Sequence, residues 1–234
     1  MTSATVVTEI KNVEESLSMK AAAAGVLPIW REDSETGMLL GRESFRPNYP
    51  ASLTLCDFGG SVKRSTSAFS GATEEFFEET CGALFDEKAS EQTSRDFSRD
   101  FCKERLCGVF KWENFSWQNN SKSPYMLFVI KISKAEALYA CDKFLLIRNA
   151  IHQFSSNSSS TCSLLPATAF KKQGSVVKKE WLEKDLLASL PWNRETVSGM
   201  AQLIRTEFLD IVDSDAFHEF LAQEKKYEKK CKKS

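Results

Sequence analysis

Ala21 to Trp30, AAAAGVLPIW, is the first sustained apolar run, and its length and bounding polar residues predict a buried strand. Pro28 inside it predicts an irregularity or an edge position, because proline cannot donate to a sheet ladder. The polar EDSETG that follows reads as a turn, with Met38 to Arg42 as the second arm of a hairpin. Ala51 to Phe58 predicts another strand, running into Gly59-Gly60. Phe69, Ala72, Phe76 and Thr80 recur at helical spacing, so Ser67 to Thr80 is expected to be a helix with one buried face. Phe110 to Phe115 and Tyr125 to Ile132 (YMLFVIKI) predict strands, the second central. Ala135 to Ala150, Lys179 to Leu190 and Val197 to Val212 carry helical periodicity. Strands first, then a helix, more strands and more helices predict an α+β fold, or a mixed α/β sandwich, over a regular βαβ array.

The polar stretches divide the chain. Residues 1–20 read as a flexible or loosely helical lead-in, 21–215 as one domain, and 216–234 as a C-terminal helix with a basic tail, EKKYEKKCKKS. That tail reads as a solvated helix end or, alternatively, an electrostatic contact with an acidic partner. Ser155 to Thr161, SSNSSST, is a low-complexity insertion. A length of 234 residues and 42% hydrophobic content suffice for one large core. The formal net charge of -1 leaves no global field to recruit nucleic acid or an acidic membrane. The start is polar and unlike a signal peptide, and no run approaches the roughly 18 apolar residues of a membrane span.

Seven cysteines without CxxC spacing, and only His152 and His218 beside them, give zinc little to bind. They read as reduced thiols in a protein of cytoplasmic or nuclear location, where the sequons at Asn114, Asn119 and Asn157 are chance matches. His152, in LLIRNAIHQF, is expected to be a packed helix residue, and Cys81 an inert small one.

The candidate chemistry lies in DFGGSVKRSTSAFSGATEEFFEETCG, Asp57 to Gly82. Glu75, Glu78 and Glu79 stand at i, i+3 and i+4 and share a helix face, with Glu74 adding a further i,i+4 repulsion against Glu78. They fall toward the helix C-terminus, where the macrodipole disfavours anions. A divalent cation would reverse that cost, since hard cations such as Mg2+ prefer carboxylate oxygen. Gly59 and Gly60 permit close approach of a phosphate or of the helix itself. The bland alternative is an exposed acidic helix face.

This segment resembles the Nudix hydrolase signature: glycine, five residues, Glu, seven residues, then Arg-Glu-aliphatic-x-Glu-Glu-x-Gly-aliphatic. With Gly60 on the first glycine, Glu75, Phe76, Glu78 and Glu79 fall on the Glu, aliphatic, Glu and Glu positions. LLGRE (Leu39 to Glu43) is similar to the strand before the box, DFGG to the strand entering it, and EWL (Glu180 to Leu182) to a later Trp segment followed by a helix. The resemblance covers roughly residues 21 to 210 and implies a Nudix-type α/β/α sandwich with a mixed central sheet. It further implies hydrolysis of a pyrophosphate linkage in a nucleoside diphosphate derivative or related compound. Glu75, Glu78 and Glu79 would be metal ligands and catalytic residues for Mg2+ or Mn2+, and Gly59 and Gly60 would position substrate, while Arg42 and Arg46 are read from the residues as either phosphate contacts or solvated surface arginines. Glu113 and Glu180 are candidates for an extra ligand or base. The chain departs from the pattern where Thr66 replaces the first Glu, Glu74 the Arg, and Cys81 the last glycine, with Gly82 one place late. Lys63 and Arg64, in the loop, are candidates to substitute for that arginine. These departures keep open a second class, a Nudix-fold binding or regulatory module without turnover.

Overall fold

A computed structural model of the chain describes residues 7–85, 91–117, 121–156 and 177–231. The elements in order are β1 (Val7–Glu9), α1 (Val13–Ser16), β2 (Ala23–Glu32), β3 (Glu35–Glu43), β4 (Leu55–Cys56), β5 (Phe58–Ser61) and α2 (Ala68–Glu79). Then follow α3 (Glu91–Arg105), β6 (Leu106–Trp117), β7 (Ser121–Ile132), α4 (Lys134–Ser156), β8 (Lys184–Pro191), α5 (Arg194–Met200), α6 (Thr206–Val212) and α7 (Asp215–Cys231). Turns of 3-10 helix span Lys179–Leu182 and Ala201–Leu203.

The apolar run of β2 is the spine of the sheet. Ala23 to Trp30 pairs in parallel with Tyr125 to Ile132 of β7. On its other edge, Ala23 to Val26 pairs with β5 and Ile29 to Glu32 with β3, both antiparallel. β6 continues the sheet beyond β7, and β1 beyond β6. On the far side, β8 and β4 both pair with β3. The sheet is therefore mixed and open, in an α+β fold.

Period-two alternation sends Ala24, Val26 and Trp30 to one face and Ala23, Leu27 and Ile29 to the other. The first face meets Phe76 of α2, Phe101 of α3 and Phe144 of α4. The second meets Phe208 of α6 and Phe217 and Phe220 of α7. Each such fully buried ring contributes roughly 1.5–3 kcal/mol of burial free energy. Among the described residues no helix is long and apolar enough to cross a membrane.

Several expectations change. Pro28 is not at an edge but at an irregularity, the other expectation: it lies where the second partner of β2 switches from β5 to β3, opposite Ile130. The missing N–H falls in that gap. The lead-in contains a strand, β1, added to β6. Ala51 to Thr54 is a turn, with Leu53 at φ 64°, so the strand expected from Ala51 begins only at Leu55. Lys179 to Leu190 is a 3-10 turn followed by strand β8, not a helix. Val197 to Val212 is broken at Ile204, which is extended and bridges Leu55. His152 lies on the exposed side of α4. Of the low-complexity insertion, Ser155 and Ser156 end α4 and the rest lies outside the described residues.

Candidate functional site

α2 is held at both ends. Ser67 caps its start by accepting from the Ser70 N–H at 3.2 Å, and Lys20 Nζ donates to the preceding Thr66 carbonyl at 2.8 Å. At the other end Cys81 and Gly82 take left-handed φ values of 52° and 65°, and the Gly82 N–H bonds the Phe77 carbonyl at 2.9 Å. Cys81 is buried, with its Sγ 3.5 Å from the Trp181 carbonyl. Phe76 and Phe77 anchor the helix, the latter edge-on to Trp181 at 5.4 Å between centroids.

The polar side of α2 divides between two environments. Glu74, Glu75 and Glu78 line a cleft of about 380 Å³ shared with Ser61, Lys63, Thr66, Lys178 and Glu180. Glu75 lies against Gly60: a β-carbon on that glycine would stand 2.7 Å from the Glu75 Cδ. Only a residue without a side chain permits this approach. Burial, then the charges of Glu78, Glu183 and Glu74, push the Glu75 carboxyl up to about 7. Lys63 reaches Glu74 at 3.5 Å across the mouth of the loop.

Glu79 points the other way, into the protein, and is 1% exposed. Its Oε2 accepts from the Gly59 N–H at 2.8 Å. Its Oε1 is 3.1 Å from the Nζ of Lys184, an ion pair by distance though poorly aligned for a hydrogen bond. Lys184, on β8, is fully buried and also donates to Glu43 Oε1 at 2.8 Å and to Cys56 Sγ at 3.1 Å. Arg46 closes the cage by pairing with the other Glu43 oxygen at 2.6 Å. Burial alone would raise the Glu43 pKa, but Lys184, with Arg205 and Arg46, holds it below the ordinary value. Burial pushes Glu79 well up, with Lys184 opposing. The Lys184 ammonium is held charged, its burial outweighed by the Glu79 and Glu43 carboxylates. The Cys56 thiol is pushed up to about 12 by burial, so it stays protonated.

Beyond the cage, the Tyr125 hydroxyl donates to Asp57, both fully enclosed, beside Gly59 and Arg205. Burial raises the Asp57 pKa, with the Tyr125 hydrogen bond opposing. Arg205 reaches Glu207 at 3.4 Å and forms the inner wall of a second cavity, about 400 Å³, with Tyr49, Thr54 and Gln202.

Of the residues singled out in the sequence, Glu75, Glu78, Gly60 and Glu180 come together at the cleft. Gly59 supports Glu79 from the loop. Arg42 and Arg46 do not line the cleft. Arg42 grips Asp185 through two nitrogens at 2.8 and 3.3 Å, and Arg46 pairs with Glu43 and stacks on Tyr49. Glu113, exposed on β6, pairs with Lys111 at 2.6 Å, away from the cleft residues. Sequence reasoning missed Lys184, Glu43, Asp57, Tyr125 and Arg205.

Four carboxylates around one cleft fit the chemistry of a hard divalent ion. Glu75 and Glu78 are suitably placed on its wall, whereas Glu79 is engaged with Lys184 and Gly59. As they stand, no three acidic, cysteine or histidine side chains among the described residues converge as a metal site. No protein-family model matches the chain, and no curated protein matches it.

Proposed function

We propose that this chain is a Nudix-type hydrolase that cleaves a pyrophosphate linkage in a nucleoside diphosphate derivative or related compound, with Mg2+ or Mn2+. One observation carries the reading: Glu75 and Glu78 share a cleft wall, with Glu75 packed on Gly60 and two lysines at the rim. Lys63 and Lys178 bind the phosphate charge, and Gly60 leaves room for the Glu75 carboxylate beside the loop. Glu75 and Glu78 hold the ion, which when bound neutralises phosphate charge and acidifies a water. Glu180, across the cleft, accepts the proton as water attacks phosphorus. The new P–O bond forms, the bridging P–O bond breaks, and the departing phosphate keeps its electron pair.

Support also comes from the raised Glu75 pKa, since a cluster of partly buried carboxylates is costly until a cation joins it. Steady-state hydrolysis of a nucleotide and dinucleotide panel, with Glu78→Gln and Glu75→Gln as controls, tests the assignment. Turnover that both variants lower by two or more orders of magnitude supports it. Turnover unaffected by either, or none on any substrate, removes it.

A second reading is a module that binds a phosphorylated ligand without turnover. The engagement of Glu79 by Lys184 and the Glu74–Lys63 pair in place of a signature arginine favour it. Mn2+ and ligand binding by calorimetry without hydrolysis would decide for the module.

A further inference from the structure

We propose that Lys184 is a built-in cation occupying the place between Glu79 and Glu43 that a divalent ion would otherwise take. Glu79 then positions the glycine loop, and any exchangeable ion is held by Glu75 and Glu78. The second clause rests on the metal-dependent reading above; the first does not.

Three electron-rich atoms surround the Lys184 Nζ, Glu43 Oε1 at 2.8 Å, Glu79 Oε1 at 3.1 Å and Cys56 Sγ at 3.1 Å. These are ammonium distances. A divalent ion at the same point would draw its ligands in to about 2.0–2.3 Å, a movement of about 0.5–1.1 Å each. The surrounding backbone also accommodates the lysine. Gly41 makes room for its stem and for the Phe58 ring, since a β-carbon there would stand 2.9 Å from both the Lys184 Cδ and the Phe58 Cε1. The pairing of β3 with β8 shifts register between Arg42 and Glu43, which brings Glu43 opposite Lys184.

The consequence for Glu79 follows from its two oxygens. One holds the Gly59 N–H and the other faces the ammonium, so neither is directed at the cleft. The cage thus ties together three parts of the fold: the end of α2, the glycine loop and the β3–β8 edge. Lys184 acts on the cleft through Glu79 and Gly59, as a positioning residue.

Titration of the full chain with Mn2+, followed by calorimetry and by the electron paramagnetic resonance of unbound Mn2+, tests this. Glu79→Gln keeps an acceptor for the Gly59 N–H and is expected to leave Mn2+ affinity within about twofold. Glu78→Gln is expected to weaken it tenfold or more. Lys184→Met is expected to bind one additional equivalent, which disappears when Glu43→Gln is added. If Lys184→Met does not fold, Lys184→Gln, which keeps a polar stem, takes its place. The proposal is overturned if Glu79→Gln weakens Mn2+ as much as Glu78→Gln, or if the folded Lys184 variant gains no equivalent. Wild-type protein that binds no Mn2+ sinks the hydrolase reading instead, and the Lys184 variant alone then judges the built-in cation.

Discussion

Replacing Glu75 by Gln isolates the cost of charging a carboxylate in the cleft. Burial and three neighbouring glutamates hold its pKa at about 7 against an ordinary 4.5. At about 1.36 kcal/mol per pH unit, the gap corresponds to roughly 3 kcal/mol, an upper bound because the cleft is open to solvent on one side. We therefore expect about 1–2 kcal/mol. The direction follows from proton counting. Below pH 4.5 the carboxyl is protonated in both folded and unfolded chains, and the cost is absent. Between 4.5 and about 7 the unfolded chain has released the proton and the folded one has kept it, so stability falls as pH rises. Above that window the loss is complete and constant. Glu75→Gln cannot ionise, so its stability advantage over wild type should be near zero at pH 4.5 and reach its full value by pH 7.5. Urea unfolding of both proteins at half-unit pH steps, without divalent ions, measures the difference. Saturating Mg2+ should shrink it by stabilising the ionised wild type. A difference that does not change with pH, or a variant less stable than wild type at pH 8, would refute the reasoning.

Three further outcomes follow from the same geometry. Gly60→Ala drives a β-carbon to within 2.7 Å of the Glu75 carboxyl, so it should cost about 1–3 kcal/mol in urea unfolding and weaken Mn2+ binding in calorimetry. Tyr125→Phe removes the hydroxyl that donates to buried Asp57 and should lower stability by about 1–3 kcal/mol; no change in the unfolding midpoint would contradict that hydrogen bond. Trp181→Ala opens a void beside Phe77 at the end of α2 and should cost about 3–5 kcal/mol, read in thermal and chemical unfolding; a loss under 1 kcal/mol would show that its indole does not anchor the helix.

Where local pattern decides structure, the sequence was informative. The spacing of Phe69, Ala72 and Phe76 and the Ser67 cap define α2, and the apolar runs of β2 and β7 identify the spine strands. α3 was missed because EQTSRDFSRDFCKER offers little but Phe97, Phe101 and Cys102 as an apolar stripe. β8 was read as helix because Leu186, Leu187 and Leu190 satisfy helical spacing as well as alternation. What selects the strand is pairing with β3 some 150 residues earlier in the chain, which no local window contains. The site divides along the same line. Glu75 and Glu78 were found from helix spacing. The engagement of Glu79 was not legible, because its partners Lys184 and Glu43 lie on strands brought together only by the sheet.

The two-sided pairing of β2 has a consequence for synthesis. During translation, β5 reaches it within about forty residues, whereas its parallel neighbour β7 emerges about a hundred residues after it, and β8 completes the opposite margin later still. A nascent polypeptide released only as far as α3 therefore carries Ala24, Leu27 and Ile29 on a strand with one long flank bare. Truncations ending there should self-associate through that flank, while chains extended past β7 should remain dispersed.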